Sequence, residues 1–273
     1  MNKQAFGILI LILSTLLVYL FATAPPPLPE GNASGGTPIP VEMLMRAVAS
    51  ENDVARALYT TEIVGKGMQV GLKFDENWRE EGVEAGPLPA LFLRETASSL
   101  EKNPVPLSLF LGSAYPINAS NQFKGIQQTR FEAMLADEKP QFFFDEDIQR
   151  HTAMFVDKAV AEACVTCHND HAQTPKSDWV LGEVMGATTW SYPGDSVNLE
   201  TYLRVLGALR QGFRSAYQAY LDKAAGFTNP PEVGSRWPKD GNFLPDSNTF
   251  MDELVRQSSA SSLQYGMEAL SAQ

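Results

Sequence analysis

Residues 163–171 read Ala-Cys-Val-Thr-Cys-His-Asn-Asp-His, and the pentapeptide Cys164-Val165-Thr166-Cys167-His168 within them decides how the rest of the chain is read. C-x-x-C-H is the spacing at which c-type haem is attached. Two residues between the thiols let both sulfurs reach the two vinyl groups of one porphyrin as thioethers. The adjacent imidazole then turns under the ring and binds iron from the proximal side. The expected roles are Cys164 and Cys167 as anchors of one covalent haem c and His168 as the proximal iron ligand. Three other readings compete. A thioredoxin-like thiol pair needs a strand-to-helix turn in a βαβ unit, and no such pattern flanks the motif. A zinc ion would draw Cys164, Cys167, His168 and His171 from eight consecutive residues, with the adjacent Cys167 and His168 on one tetrahedral centre. A plain disulfide between Cys164 and Cys167 is the third.

Composition removes whole classes. Among 273 residues, 21 Lys and Arg face 32 Asp and Glu, a net charge of -11. A surface this acidic repels phosphate backbones, and no basic cluster offsets it, so nucleic-acid binding is excluded. Two cysteines and three histidines exclude a disulfide framework or a many-ligand metal cage. There is no G-x-S-x-G elbow and no P-loop, and Gly65-Lys66-Gly67 lacks the third glycine of a dinucleotide fingerprint. All three histidines lie between residues 151 and 171, so a hydrolase centre would have to sit beside the haem motif. No enzyme is expected.

At the N-terminus, Lys3 precedes an uncharged run from Phe6 to Ala24 that ends in Ala22-Thr23-Ala24, the pattern of a secretory signal. The run is also close to the ~20 residues that span a bilayer, and Pro25 to Pro27 stand where a peptidase would cut. Residues 1–24 are read as a signal peptide or uncleaved membrane anchor and 25–40 as a Pro/Gly-rich linker. The rest is expected in the periplasm, free or anchored to the inner membrane. Towards the other end, Leu199, Tyr202, Leu206, Leu209, Phe213, Ala216 and Tyr220 step by three and four, the stripe of a helix. Gly207 and Gly212 each cost ~1 kcal/mol relative to Ala, so packing must hold that helix. It is read as lying on its own domain, with a homodimer seam through residues 199–220 as the alternative. A Pro/Gly-rich connector (226–245) then leads to a last helix from about Ser247 to Leu270.

The flanks of the motif narrow the reading. Ala163 to His171, Thr174-Pro-Lys-Ser-Asp-Trp179 and Leu181-Gly-Glu-Val-Met-Gly-Ala187 resemble the c-type haem-binding PAS-like sensory domain family, which is exported and often joined to bacterial sensor kinases and cyclases. Ala57-Leu-Tyr-Thr60, Pro87-Leu-Pro-Ala90 and Ser113 to Asn121 carry the likeness upstream. The resemblance runs from about residue 41 to 195. It implies an α+β fold: a small antiparallel PAS-like sheet with flanking helices and a long N-terminal helix, cradling one haem. Residues 196–273 would be a helical C-terminal extension. The periodicities agree, with a helix expected over Glu42–Met68 and strands over Pro106–Leu111, Met154–Val160 and Val184–Trp190. No kinase or cyclase follows residue 195, so the state of the haem would pass to a redox partner or signalling partner.

The sixth iron ligand separates the functional readings. Stable thioether or imidazole ligation suits an electron carrier, whereas an open or labile position suits a sensor of redox state, NO or CO. Some relatives take this ligand from the N-terminal helix, in one lineage a Cys, and this chain has no third cysteine. Met68, at the end of the expected helix, is the first candidate. Met43 and Met45 are weighed against core filling. His151 is the alternative, against an exposed or capping role. His171 would share a side of the ring with His168 and sit near a propionate or in solvent. Trp179 and Trp190 read as pocket walls or ordinary core.

Overall fold

The structure, a computed structural model, describes residues 13–16 and 37–271. The chain divides into two compact units, Met1–Gly36 and Thr37–Gln273. Of the first, only the helical turn Leu13–Leu16 is described, so the expected signal or anchor (1–24) and most of the linker lie outside the described residues. Among the described residues no helix is long and apolar enough to cross a membrane.

The second unit is α+β. It opens with a short strand, β1 (Ile39–Pro40), and helix α1 (Val41–Leu58). Pro40 ends the extended entry, Glu42 sits in the first turn and Arg56 in the last, each on the side the helix dipole favours. Val41, Leu44, Met45, Val48, Ala55 and Leu58 recur at three and four residues and are buried. The helix then loosens into a π-helical stretch, Tyr59–Gly65, before one α-turn, α2 (Lys66–Gln69). Strands β2 (Phe74–Asp75) and β3 (Gly86–Pro87) pair in parallel. Helix α3 (Pro89–Glu101) starts with proline at its first position, where the missing N–H costs nothing.

The main sheet has four antiparallel strands in the order β4 (Ser108–Gly112), β7 (Val184–Tyr192), β6 (Arg150–Lys158), β5 (Gln141–Asp145). Leu109, Ala153 and Trp190 align across it on the face that meets α1 and α3 in the main core. Met154 and Ala187 point to the other face, into a smaller cluster with Phe123 and with Phe131 and Met134 of helix α4 (Gly125–Asp137). Two glycines let β4 and β7 close up. A Cβ on Gly112 would lie 2.2 Å from the Phe123 ring, and one on Gly186 would lie 2.3 Å from the Gly112 carbonyl oxygen. Helix α5 (Glu162–Asp170) follows β6 and carries the Cys-His motif.

Strand β8 (Ser196–Val197) pairs with β1 and leads to helix α6 (Leu199–Ala224). A parallel pair, β9 (Glu232–Gly234) and β10 (Phe243–Pro245), precedes helix α7 (Ser247–Ser271). The stripe on α6 turns into this chain's own core. Tyr202, Leu206, Leu209, Phe213, Ala216 and Tyr220 are buried, while Leu199 is 45% exposed. Tyr217 stacks on Phe250 of α7 at 4.2 Å, and Phe92 of α3 stacks between Tyr59 and Phe213 at 4.4 and 6.2 Å. Polar groups fasten the same helices. Glu51 of α1 is fully buried, takes two hydrogen bonds from Arg210 of α6, and accepts a third from Ser262 of α7 at 2.7 Å. Helices beyond residue 195 therefore complete the core that the sheet and α1 begin.

Candidate functional site

Helix α5 sets Cys164, Cys167 and His168 at i, i+3 and i+4, a spacing that gathers all three on one side. His168 is half-buried, and its Nδ1 is buried without a hydrogen-bond partner. Burial holds the imidazole's pKa below its usual value, against Asp157, which favours the cation. The C-terminal end of α5 also favours a cation; burial wins, and the ring is poised as a neutral donor. Partial burial pushes the Cys167 thiol up, and Glu76, Cys164 and Asp170 add to the shift. Both cysteines are free. Two thiols and one unengaged neutral imidazole on one helical face fit covalent attachment of a haem. Among the described residues no group of three or more His, Cys, Asp or Glu is arranged to hold a bare metal ion, which leaves the zinc reading without geometric support.

The loop after α5 folds back on it. Asn169 donates from Nδ2 to the Trp179 carbonyl at 3.0 Å and accepts the Trp179 N–H at 2.8 Å, pairing with that backbone as a strand would. Trp179 is 4% exposed, with Lys176 over its ring at 4.0 Å and Tyr115 edge-on at 6.2 Å. Trp179 thus stands beside the motif helix. Trp190 does not: it is in the main core between Leu109 and Ala153. It lies four residues along β7 from Gly186, which pairs with Asp157, or about 13 Å at strand rise.

His171 is neither solvated nor free. As the C-cap of α5 it accepts the Gln173 N–H on Nδ1 at 3.1 Å, which leaves the proton on Nε2, and Nε2 meets Glu76 at 3.2 Å. This contact ties the motif helix to the segment after Met68. His151, the distal alternative, lies within β6, which begins earlier than its sequence suggests. It pairs with Tyr192 and Phe144, with the Phe144 ring 5.0 Å away. Asp157, the β6 residue that acts on His168, is six residues further, about 20 Å at strand rise. The structure therefore does not bring His151 to the motif.

Met68 is 57% exposed and borders a groove of about 600 Å³ with Leu72, Phe74, Asp75 and Val83, a volume within the range of small-ligand sites. Glu76, next to Asp75, is the residue that reaches His171. The π-helical stretch changes the angle at which Met68 leaves the helix. Twelve residues of regular α-helix would turn Met68 about 120° from Arg56. Seven residues at the wider i→i+5 pitch, about 4.4 per turn, take back nearly that angle. On ideal helix parameters alone Met68 would return to the stripe of Arg56, which pairs with Asp157. Met45 is 1% exposed and Met43 is partly buried against the same core, at the opposite end of α1. Sequence reading missed the π stretch, and nothing in Tyr59–Gly65 announces it.

No curated protein and no solved structure matches this chain. A family model described as Tll0287-like matches residues 41–193, from the first residue of α1 to the residue after β7. Over that span, which includes α5 and the whole four-stranded sheet, the chain belongs to the Tll0287-like family.

Proposed function

We propose that this chain is an exported monohaem c-type cytochrome that transfers single electrons, a carrier rather than a catalyst. One observation carries the reading: Cys164, Cys167 and His168 share one face of α5, with the imidazole kept neutral and its Nδ1 unpartnered. In this reading Cys164 and Cys167 would hold the porphyrin as thioethers, and His168 and Met68 would be its iron ligands. A haem held there supplies one-electron iron chemistry. The protein's part is to hold, orient and shield. Asn169 locks Trp179 against the motif helix, and the His171–Glu76 contact fixes that helix to the segment following Met68. Arg56 pairs with Asp157, the carboxylate whose charge favours protonation of His168. The apolar run at residues 6–24 supports export, the compartment in which such attachment occurs.

The test is spectroscopic. Expressed in a host that attaches c-type haem, the full chain should keep sharp reduced bands after acid-acetone extraction, and Cys164→Ser with Cys167→Ser should abolish them. A carrier keeps its spectrum under CO, and Met68→Ala shifts its potential. A colourless chain overturns the haem reading. A CO-shifted spectrum replaces the carrier with a gas sensor.

A further inference from the structure

Four large apolar side chains stand in solvent around α5: Tyr115 (49% exposed), Val160 (67%), Val180 (62%) and Leu181 (53%). Backbone pairing gathers them. Ala159 donates to the Glu183 carbonyl at 2.9 Å and accepts from the Gly182 N–H at 2.8 Å, which sets Val160 beside the 180–183 turn. Tyr115 stands edge-on to Trp179, the residue before Val180, and the Asn169 clamp fastens that residue to α5. Exposed apolar area on the order of a few hundred Å² in one place is the scale that marks an interaction site.

The rim of this patch is negative. Glu162 and Asp170 on α5, Asp178 and Glu183 on the returning loop, and Glu76 across from His171 are five acids. Against them stands Lys176, already tied to Asp178 and Glu183. The neighbouring Lys158 is spent on Glu138. An apolar centre inside an acidic rim repels a second copy of itself and an anionic lipid surface. It complements a partner with an apolar centre and a basic rim.

We propose that this face docks a basic one-electron redox protein, so that electrons cross at the surface that carries Cys164, Cys167 and His168. The proposal rests on the haem reading above and adds to it the face and the charge of the partner. One electron passes: the donor is oxidised by one, the acceptor reduced by one, and no proton or group moves. A centre of this size matches a brief encounter, since electron-transfer complexes fall below about 1,200 Å² of buried surface.

Stopped-flow electron transfer from the reduced, haem-loaded full chain tests it, with a strongly basic cytochrome c as one probe and hexacyanoferrate(III) as the other. The rate with the basic cytochrome should fall about tenfold or more between low and physiological salt. Replacing Val180→Ser and Leu181→Ser should lower it about fivefold while leaving the hexacyanoferrate rate unchanged. Leu263→Ser, at an exposed leucine of α7 (64%), should change neither. A double variant as fast as wild type, an equal loss with both oxidants, or a rate that rises with salt overturns the docking face and leaves the haem reading standing. So does concentration-dependent self-association that the double variant abolishes. If the chain is colourless the haem reading falls, and low-salt calorimetry with the same basic cytochrome decides the face alone. Binding that Val180→Ser/Leu181→Ser removes supports it, and no binding overturns it.

Discussion

A chain ending at Asp195 should not fold, although it contains the whole span, 41–193, that the family model matches. Cutting there removes α6 and α7 and uncovers what they cover. Tyr59 loses Tyr217, Phe92 loses Phe213 and Phe250, and Leu100 loses the Gly212 surface of α6. All three are at most 1% exposed in the intact fold. Burial of such side chains stabilises by about 1.5–3 kcal/mol each, so about 5–9 kcal/mol goes with them. Glu51 loses both Arg210 and Ser262, and a buried carboxylate stripped of its partner costs about 3–5 kcal/mol. The total rivals the roughly 5–15 kcal/mol by which domains are stable at all. Area-based values are upper bounds, yet even half this loss leaves a marginal fold. Residues 37–195 and 37–273, both made in a haem-attaching host, should therefore differ in kind. The longer chain should unfold cooperatively in guanidinium, and the shorter should show no cooperative transition and bind a hydrophobic dye. If the shorter chain unfolds cooperatively with a midpoint within about 1 M of the longer one, the reasoning is refuted, and the C-terminal helices are an appendage.

Two finer predictions use the same denaturation assay. Arg210→Ala should cost about 3–5 kcal/mol by leaving Glu51 buried with one hydroxyl, and adding Glu51→Leu should recover most of it; a loss below about 1 kcal/mol would show that solvent reaches Glu51. Asp53 is held up at about 6 from 3.8, chiefly by burial, with Arg56 pulling the other way. A raised folded pKa gives stability present below about pH 3.8 and lost as pH rises through 6. The full shift corresponds to about 3 kcal/mol, but the residue keeps a solvent-facing surface and screening reduces this to about 1 kcal/mol. Asp53→Asn should thus stabilise the protein by about 1 kcal/mol at pH 8 and by little at pH 4, and an equal effect at both would refute the assignment.

What could be read from residues and what could not follows from the range of the interactions involved. Cys164, Cys167 and His168 could be singled out because C-x-x-C-H is a local pattern of five consecutive residues, carried by one helix whatever the fold around it. The α6 stripe was legible because a 26-residue helix repeats its pattern many times. Strand β5 was missed although Phe142, Phe143 and Phe144 stand between Pro140 and Asp145, a short apolar run with turn signals at both ends. Helix α3 was missed although Pro89 marks its first position. The π stretch had no such signal, since an i→i+5 ladder uses the same residues as an i→i+4 one. His151 was read as preceding its strand because Arg150 and Gln149 beside it are polar, whereas pairing with Tyr192 draws it into the sheet. The His171–Glu76 contact spans 95 residues, and no local pattern announces a partner so distant.

Helix α1 belongs to both halves of the molecule at once. Its Glu51 is gripped by Arg210 and Ser262, on helices outside the matched family span, while Arg56 pairs with Asp157 beside His168. Five residues separate the two anchor points, about 7.5 Å of helix axis, with Ala55 packed in the core between them. The same helix therefore carries one residue fastened to α6 and α7 and, five residues on, another paired to strand β6.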